Sequence, residues 1–170
     1  MTVTPTDPRK SAFAAIAAHD TRVLILGSFP GDASLAAGQY YAHPRNQFWH
    51  LIGAVINQTD LAGLPYAERL ALLGQAGIGL WDVIATAVRR GSLDTAIRAA
   101  EPAALTNLAA ALPQLRAIGL NGAKSAAIGR KALAGSGLTL IDLPSSSPAH
   151  ASLGLAAKLA RWLTIKEFLV

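Results

Sequence analysis

Cysteine is absent from this chain of 170 residues. That excludes disulfides, thiolate nucleophiles, Cys-based zinc sites and Cys-ligated iron–sulfur clusters. The four histidines, His19, His43, His50 and His150, fall in no zinc-binding spacing. No metal and no cofactor is therefore expected. Apolar runs of membrane length are missing too. Hydrophobic residues make up 52% of the chain, yet Asp82 splits the best candidate, "GIGLWDVIATAV", so no membrane span is expected. The opening "MTVTPTDPRK" lacks the apolar core of a secretory signal. It reads as a disordered leader over 1–10, ahead of a cytoplasmic protein. Residues 11–170 suffice for one domain with a real core and are too few for two ordinary ones.

Acidic residues are the minority, 10 against 15 basic, for a net charge of +5. That balance suits a polyanionic partner such as nucleic acid. The positives are scattered along the chain, so folding has to assemble any basic face.

Four apolar runs read as buried strands: 22–26, 78–84, 116–120 and 138–143. Helical spacing is predicted over 11–18, 47–56, 65–73, 102–112, 121–133 and 155–169, with Gly74 stopping the third and Pro102 opening the fourth. Residues 89–98 are polar and irregular. Alternating strands and helices predict an α/β fold of three layers, α/β/α, around a central, mostly parallel four-stranded sheet. Three of the strands end in polar turns, "GSFPGDAS", "NGAKS" and "PSSSPAHAS". In open parallel sheets the ligand crevice lies outside the carboxyl ends of the strands, so these turns converge on one site. The ring-rich stretch "QYYAHPRNQFW" follows the first of them.

In this order the pieces resemble the uracil-DNA glycosylase superfamily. "GSFPG" is similar to its first motif, "YAHPRNQFW" continues it at the family's spacing, "LPSSSPAHA" resembles the second motif, and "NG" at Asn121 and Gly122 matches a short signature after a strand. Phe29 stands where the mismatch-specific branch carries its catalytic Asn. With "QYYAHPRNQFW" and no cysteine, the chain resembles instead the hypoxanthine-DNA (deoxyinosine) glycosylase branch.

The resemblance implies a monofunctional glycosylase domain over 11–170. Its partner is damaged duplex DNA, with single strands as an alternative substrate, and a monomer associated with the nucleoid is expected. Such an enzyme extrudes its nucleotide and stacks the base in a pocket. Tyr41 occupies the stacking position, and Phe29 either closes the opposite wall or fills core space. Bond breaking passes through an oxocarbenium-like state, so water needs placing more than deprotonating. Asn46 is the candidate for that placing; the alternative is that it only caps the helix behind it. His43 either donates to the base or forms a rigid His-Pro turn. Asp82 is a rival water activator.

Ser28 backbone and Asn121 are candidates for reading the base. Gly31, Ser34, Ser145, Ser146, Ser147 and Lys124 are candidates for phosphate contacts. Ala149 and His150 form the tip that probes the base stack. Two further readings stay open: a broader uracil or mismatch glycosylase, and a lesion-binding module without chemistry.

Overall fold

The computed structural model describes residues 8–170, so most of the leader expected over 1–10 lies outside the described residues. The strands are β1 (Arg9–Ser11), β2 (Val23–Gly27), β3 (Ile78–Asp82), β4 (Ile84–Val88), β5 (Arg98–Pro102), β6 (Ala117–Asn121) and β7 (Thr139–Leu143). The helices are α1 (Asp32–Ala37), α2 (Phe48–Val55), α3 (Tyr66–Ala76), α4 (Leu105–Ala110), α5 (Ala123–Ala132) and α6 (Leu155–Trp162). Short 3-10 turns follow Asp60, Leu93 and Trp162.

The central sheet has the order β3-β2-β6-β7, and every neighbouring pair is parallel. Side chains of β2 alternate between two cores, as the pleat requires. Val23 and Ile25 face Phe48, Leu51, Ile52, Trp162 and Ile165 on one side. Leu24 and Leu26 face Val83, Ile84, Leu105 and Leu133 on the other. Helices thus cover both faces, which gives the expected α/β/α layering.

The chain leaves β2 toward β3 on one side and toward β6 on the other. This reversal opens a crevice at the carboxyl ends of the strands. Gly27 and Asp82 pair in register at that rim, and Asn121 pairs with Leu143. Four strand ends therefore meet where a ligand would sit.

Several local expectations are overturned. The helix expected over 11–18 is an extended strap: Ile16 exchanges two backbone hydrogen bonds with Leu80, at 2.9 and 2.8 Å. The open edge of β3 outweighs the weak helical preference of an Ala-rich segment. Arg9 and Lys10, read as leader, pair in β1 with β4. The run read as one strand over 78–84 breaks at Val83, and β4 departs into a second, antiparallel sheet of order β1-β4-β5. Pro102 ends β5 instead of opening a helix, which starts only at Leu105. Gly74 does not stop α3, which continues to Ala76 and is capped by Gly77 in the left-handed region, φ 85°.

Candidate active site

The rim is built around a glycine. A β-carbon on Gly27 would lie 2.6 Å from Asp82 Oδ1 and 3.0 Å from the Tyr41 hydroxyl. No larger residue fits, and its absence lets the carboxyl and the phenol approach over the end of β2. Tyr41 itself holds φ at 53°, a conformation that costs a non-glycine residue energy and is found at functional sites. Its ring stacks on Phe48 with centroids 3.9 Å apart and planes 19° from parallel. The Trp49 indole N–H donates to the Tyr41 carbonyl at 3.1 Å and holds the strained turn. Tyr40 turns the other way, buried in the core with its hydroxyl donating to the Ala14 carbonyl at 3.0 Å.

Asn46 stands just before α2. Its Oδ1 accepts from the Phe48 N–H at 2.9 Å, which satisfies a first-turn donor. The amide oxygen is thus engaged by the helix start, and the Nδ2 group is a donor. His43 Nδ1 accepts from the Arg45 N–H at 3.1 Å. With Nδ1 accepting, Nε2 is the ring's donor.

The serine loop is locked onto this segment from behind. The Ser146 N–H donates to Asn121 Oδ1 at 3.0 Å, and Asn121 Nδ2 donates back to Ser146 Oγ at 3.0 Å. Asn121 Nδ2 also reaches the Tyr41 hydroxyl at 3.3 Å. The Gln47 N–H donates to the Ser146 carbonyl at 2.9 Å, and buried Lys158 donates to Gln47 Oε1 at 3.0 Å. Ser146 is thereby an internal rivet, 1% exposed, while Ser145, Ser147 and His150 are partly exposed and Ala149 is exposed. Within the loop, Ser145 Oγ accepts from the Ser147 N–H at 3.1 Å and Ser147 Oγ from the Ala149 N–H at 3.2 Å. Lys124 sits partly exposed in the first turn of α5.

Ser34 is buried, and its hydroxyl accepts from the Ala42 N–H at 3.1 Å, tying α1 to the aromatic segment. Phe29 is buried beneath the Arg89 guanidinium, 5.1 Å above its ring, and Arg89 also donates to the Pro30 carbonyl. Ser28 Oγ donates to Asp94 at 2.6 Å, and the Asp32 N–H donates to Ser92 at 2.9 Å. A β-carbon on Gly31 would meet that same Ser92 hydroxyl at 3.3 Å. A loop from 89 to 96 thus braces the first motif. Sequence reasoning found no role for it, since its polar residues look like any surface turn.

Asp82 is the odd member. It is 4% exposed, and its Oδ2 has no hydrogen-bond partner. Burial, and secondarily the Asp94 carboxylate, push its acid up to about 7, with Arg89 opposing. Burial first and the Asp82 charge second raise the Tyr41 phenol well above its ordinary value, so it stays protonated. The rim therefore carries a phenol ring stacked on Phe48 and a buried carboxyl whose acid is raised to about 7, with the Asn46 amide and the His43 imidazole in the segment between Tyr41 and α2.

The family model of the uracil DNA glycosylase superfamily matches residues 13–165. The chain belongs to that superfamily. It is 41% identical over 117 residues to a hypoxanthine DNA glycosylase of Methanosarcina barkeri, covering 69% of this chain and 73% of the relative. It is 39% identical over 141 residues to a hypoxanthine DNA glycosylase of Methanosarcina acetivorans, covering 83% and 88%. Among solved structures, it is similar to the solution NMR structure of a candidate uracil DNA glycosylase from Methanosarcina acetivorans. There the TM-score is 0.85 at 35% identity, over 95% of this chain and 99% of the other. As a superfamily member, the chain departs from the Asn-bearing first motif at Phe29, which the structure packs into the core with Leu26, Val83 and Ile84, beneath Arg89.

Proposed function

We propose that this protein is a monofunctional DNA glycosylase that extrudes a deaminated base, hypoxanthine foremost, and hydrolyses its N-glycosidic bond. The observation that carries this reading is Tyr41, held in a strained turn over Gly27 with Phe48 stacked on one face. In this reading the ring's other face receives the extruded base, and a ring so braced costs little further ordering. Two relatives named as hypoxanthine DNA glycosylases, matched over most of the chain, support the choice of base.

In this reading Asn46 Nδ2 donates to the attacking water and holds it under the sugar carbon. His43 Nε2–H donates to the base or to the water. Asn121, engaged by Ser146 and Tyr41, positions the pocket from behind. Ser145 and Ser147, with Gly31 and Lys124, receive backbone phosphates, while Ala149 and His150 probe the stack. The partner is duplex DNA, bound by a monomer at the nucleoid. Among the described residues no helix is long and apolar enough to cross a membrane. The similarity to a candidate uracil glycosylase favours a broader substrate range as the second reading.

Labelled duplexes carrying one hypoxanthine, uracil or xanthine test both readings, with alkali revealing abasic sites. Hypoxanthine is expected to be released fastest, and Asn46→Ala is expected to slow release about 100-fold or more. Uracil released as fast as hypoxanthine would favour the broader enzyme. Binding without release of any base would leave a lesion-binding module.

A further inference from the structure

Asp82, read from the sequence as a rival water activator, has no place in the function proposed above, yet its position is costly. The side chain closes β3 at the rim, buried to 4% exposure, with Oδ2 unpaired. A carboxylate there would be a buried charge without a compensating donor. Oδ1 lies over Gly27, beside the Tyr41 hydroxyl. That hydroxyl marks the deep end of the stacking ring, where Asn121 also arrives. A base that enters sugar-outward and stacks on Tyr41 brings its far edge to this point. In a purine the far edge carries the six-position substituent, a carbonyl in hypoxanthine and an amino group in adenine.

We propose that Asp82 is the acid that donates a proton to the six-position oxygen of the extruded base as it leaves. This rests on the glycosylase reading and assigns the leaving-group half of its chemistry. The bond from the sugar carbon to the purine nitrogen breaks, and its electron pair passes into the ring. The proton moves from Asp82 to the six-position oxygen, so the base departs neutral and then relaxes to its keto form. The water held by Asn46 adds to the sugar carbon and releases one proton to solvent, from which Asp82 is reprotonated. One water is consumed, and one free base and one abasic sugar result. An amino group at the six-position offers the acid no acceptor there, so the same contact disfavours adenine.

The groups surrounding Asp82 agree with an acid held neutral. Tyr41 and Tyr40, from the segment before α2, remain protonated and bring no positive charge. Asp94, from the turn after β4, disfavours a second negative charge. Arg89, just after β4, opposes it: its guanidinium lies over Phe29 and donates to the Gly91 and Pro30 carbonyls, while Nη1 has no hydrogen-bond partner. The carboxyl sits near 7 in consequence, the range in which an acid both holds and gives up a proton.

The test is single-turnover release of hypoxanthine from duplex DNA between pH 5.5 and 9, for the native protein and Asp82→Asn. The native rate should fall about tenfold per pH unit above about 7. Asp82→Asn should lose about 100-fold at pH 6 and show no alkaline decline, while binding the duplex as tightly as the native protein. A native profile with no alkaline limb overturns the proposal whatever the variant does, which guards against a variant that fails to fold. So does a variant that keeps the native rate, or loses rate but keeps the native profile. In each of those cases native release of hypoxanthine leaves the glycosylase reading standing. If the native protein releases no hypoxanthine at any pH, that reading and the proposal fall together.

Discussion

Enclosing an unpaired carboxyl at Asp82 has a thermodynamic consequence separate from catalysis. Its acid stands at about 7 in the folded chain against 3.8 when free. Between those values the folded protein holds a proton that the unfolded chain has released. The contribution of Asp82 to stability is therefore greatest below about pH 4, declines as pH rises, and levels off above about 7. The decline is on the order of 4 kcal/mol at most. Asp82→Asn removes it, so the variant should melt above the native protein at pH 8, and the gap should shrink toward pH 4. Thermal melts at both pH values measure this. A variant that melts lower at pH 8 would show that the carboxylate has a partner after all.

At the scale of elements, the clamp between the end of β6 and the serine loop carries two motifs at once. Asn121→Ala removes both hydrogen bonds to Ser146 and the contact to the Tyr41 hydroxyl. It leaves the buried Ser146 N–H unsatisfied, at about 1–3 kcal/mol. Denaturant unfolding should show that loss, and binding to duplex DNA should weaken in parallel. Loss of stability with binding intact would mean that the loop keeps its shape alone.

The same scale explains what could be read in advance. β2, β6 and β7 are short apolar runs, and their periodicity is local information. β1 and β5, "RKS" and "RAAEP", carry no such signal, because their partner β4 is supplied from elsewhere. The strap at Ile16 was illegible for a like reason: the edge it covers lies 64 residues further on, at Leu80. In the site, Tyr41 and Asn46 stand inside a recognisable motif. The setting of Asp82 does not, since it depends on close approach over Gly27 and on the charge of Asp94, from two other segments. Ser146 and Ser34 looked like phosphate ligands in sequence and are buried in the fold.

Across the whole molecule, the net charge of +5 predicts binding that depends on salt. If Lys124 meets a phosphate, Lys124→Ala should weaken binding to damaged and undamaged duplexes alike. It should also reduce the slope of log affinity against log salt by about 1. Titrations at several salt concentrations measure both. An unchanged slope would remove Lys124 from the contact surface.

The strap bears on the molecule's behaviour in company. β3 lies at the outside of the central sheet and carries Asp82 at its tip. Left bare, its row of amides and carbonyls would invite a strand from another copy of the chain. The two bonds between Ile16 and Leu80 occupy that row. The segment before β2 thus acts as a selvage, binding off the β3 edge at Leu80 against a strand from another copy.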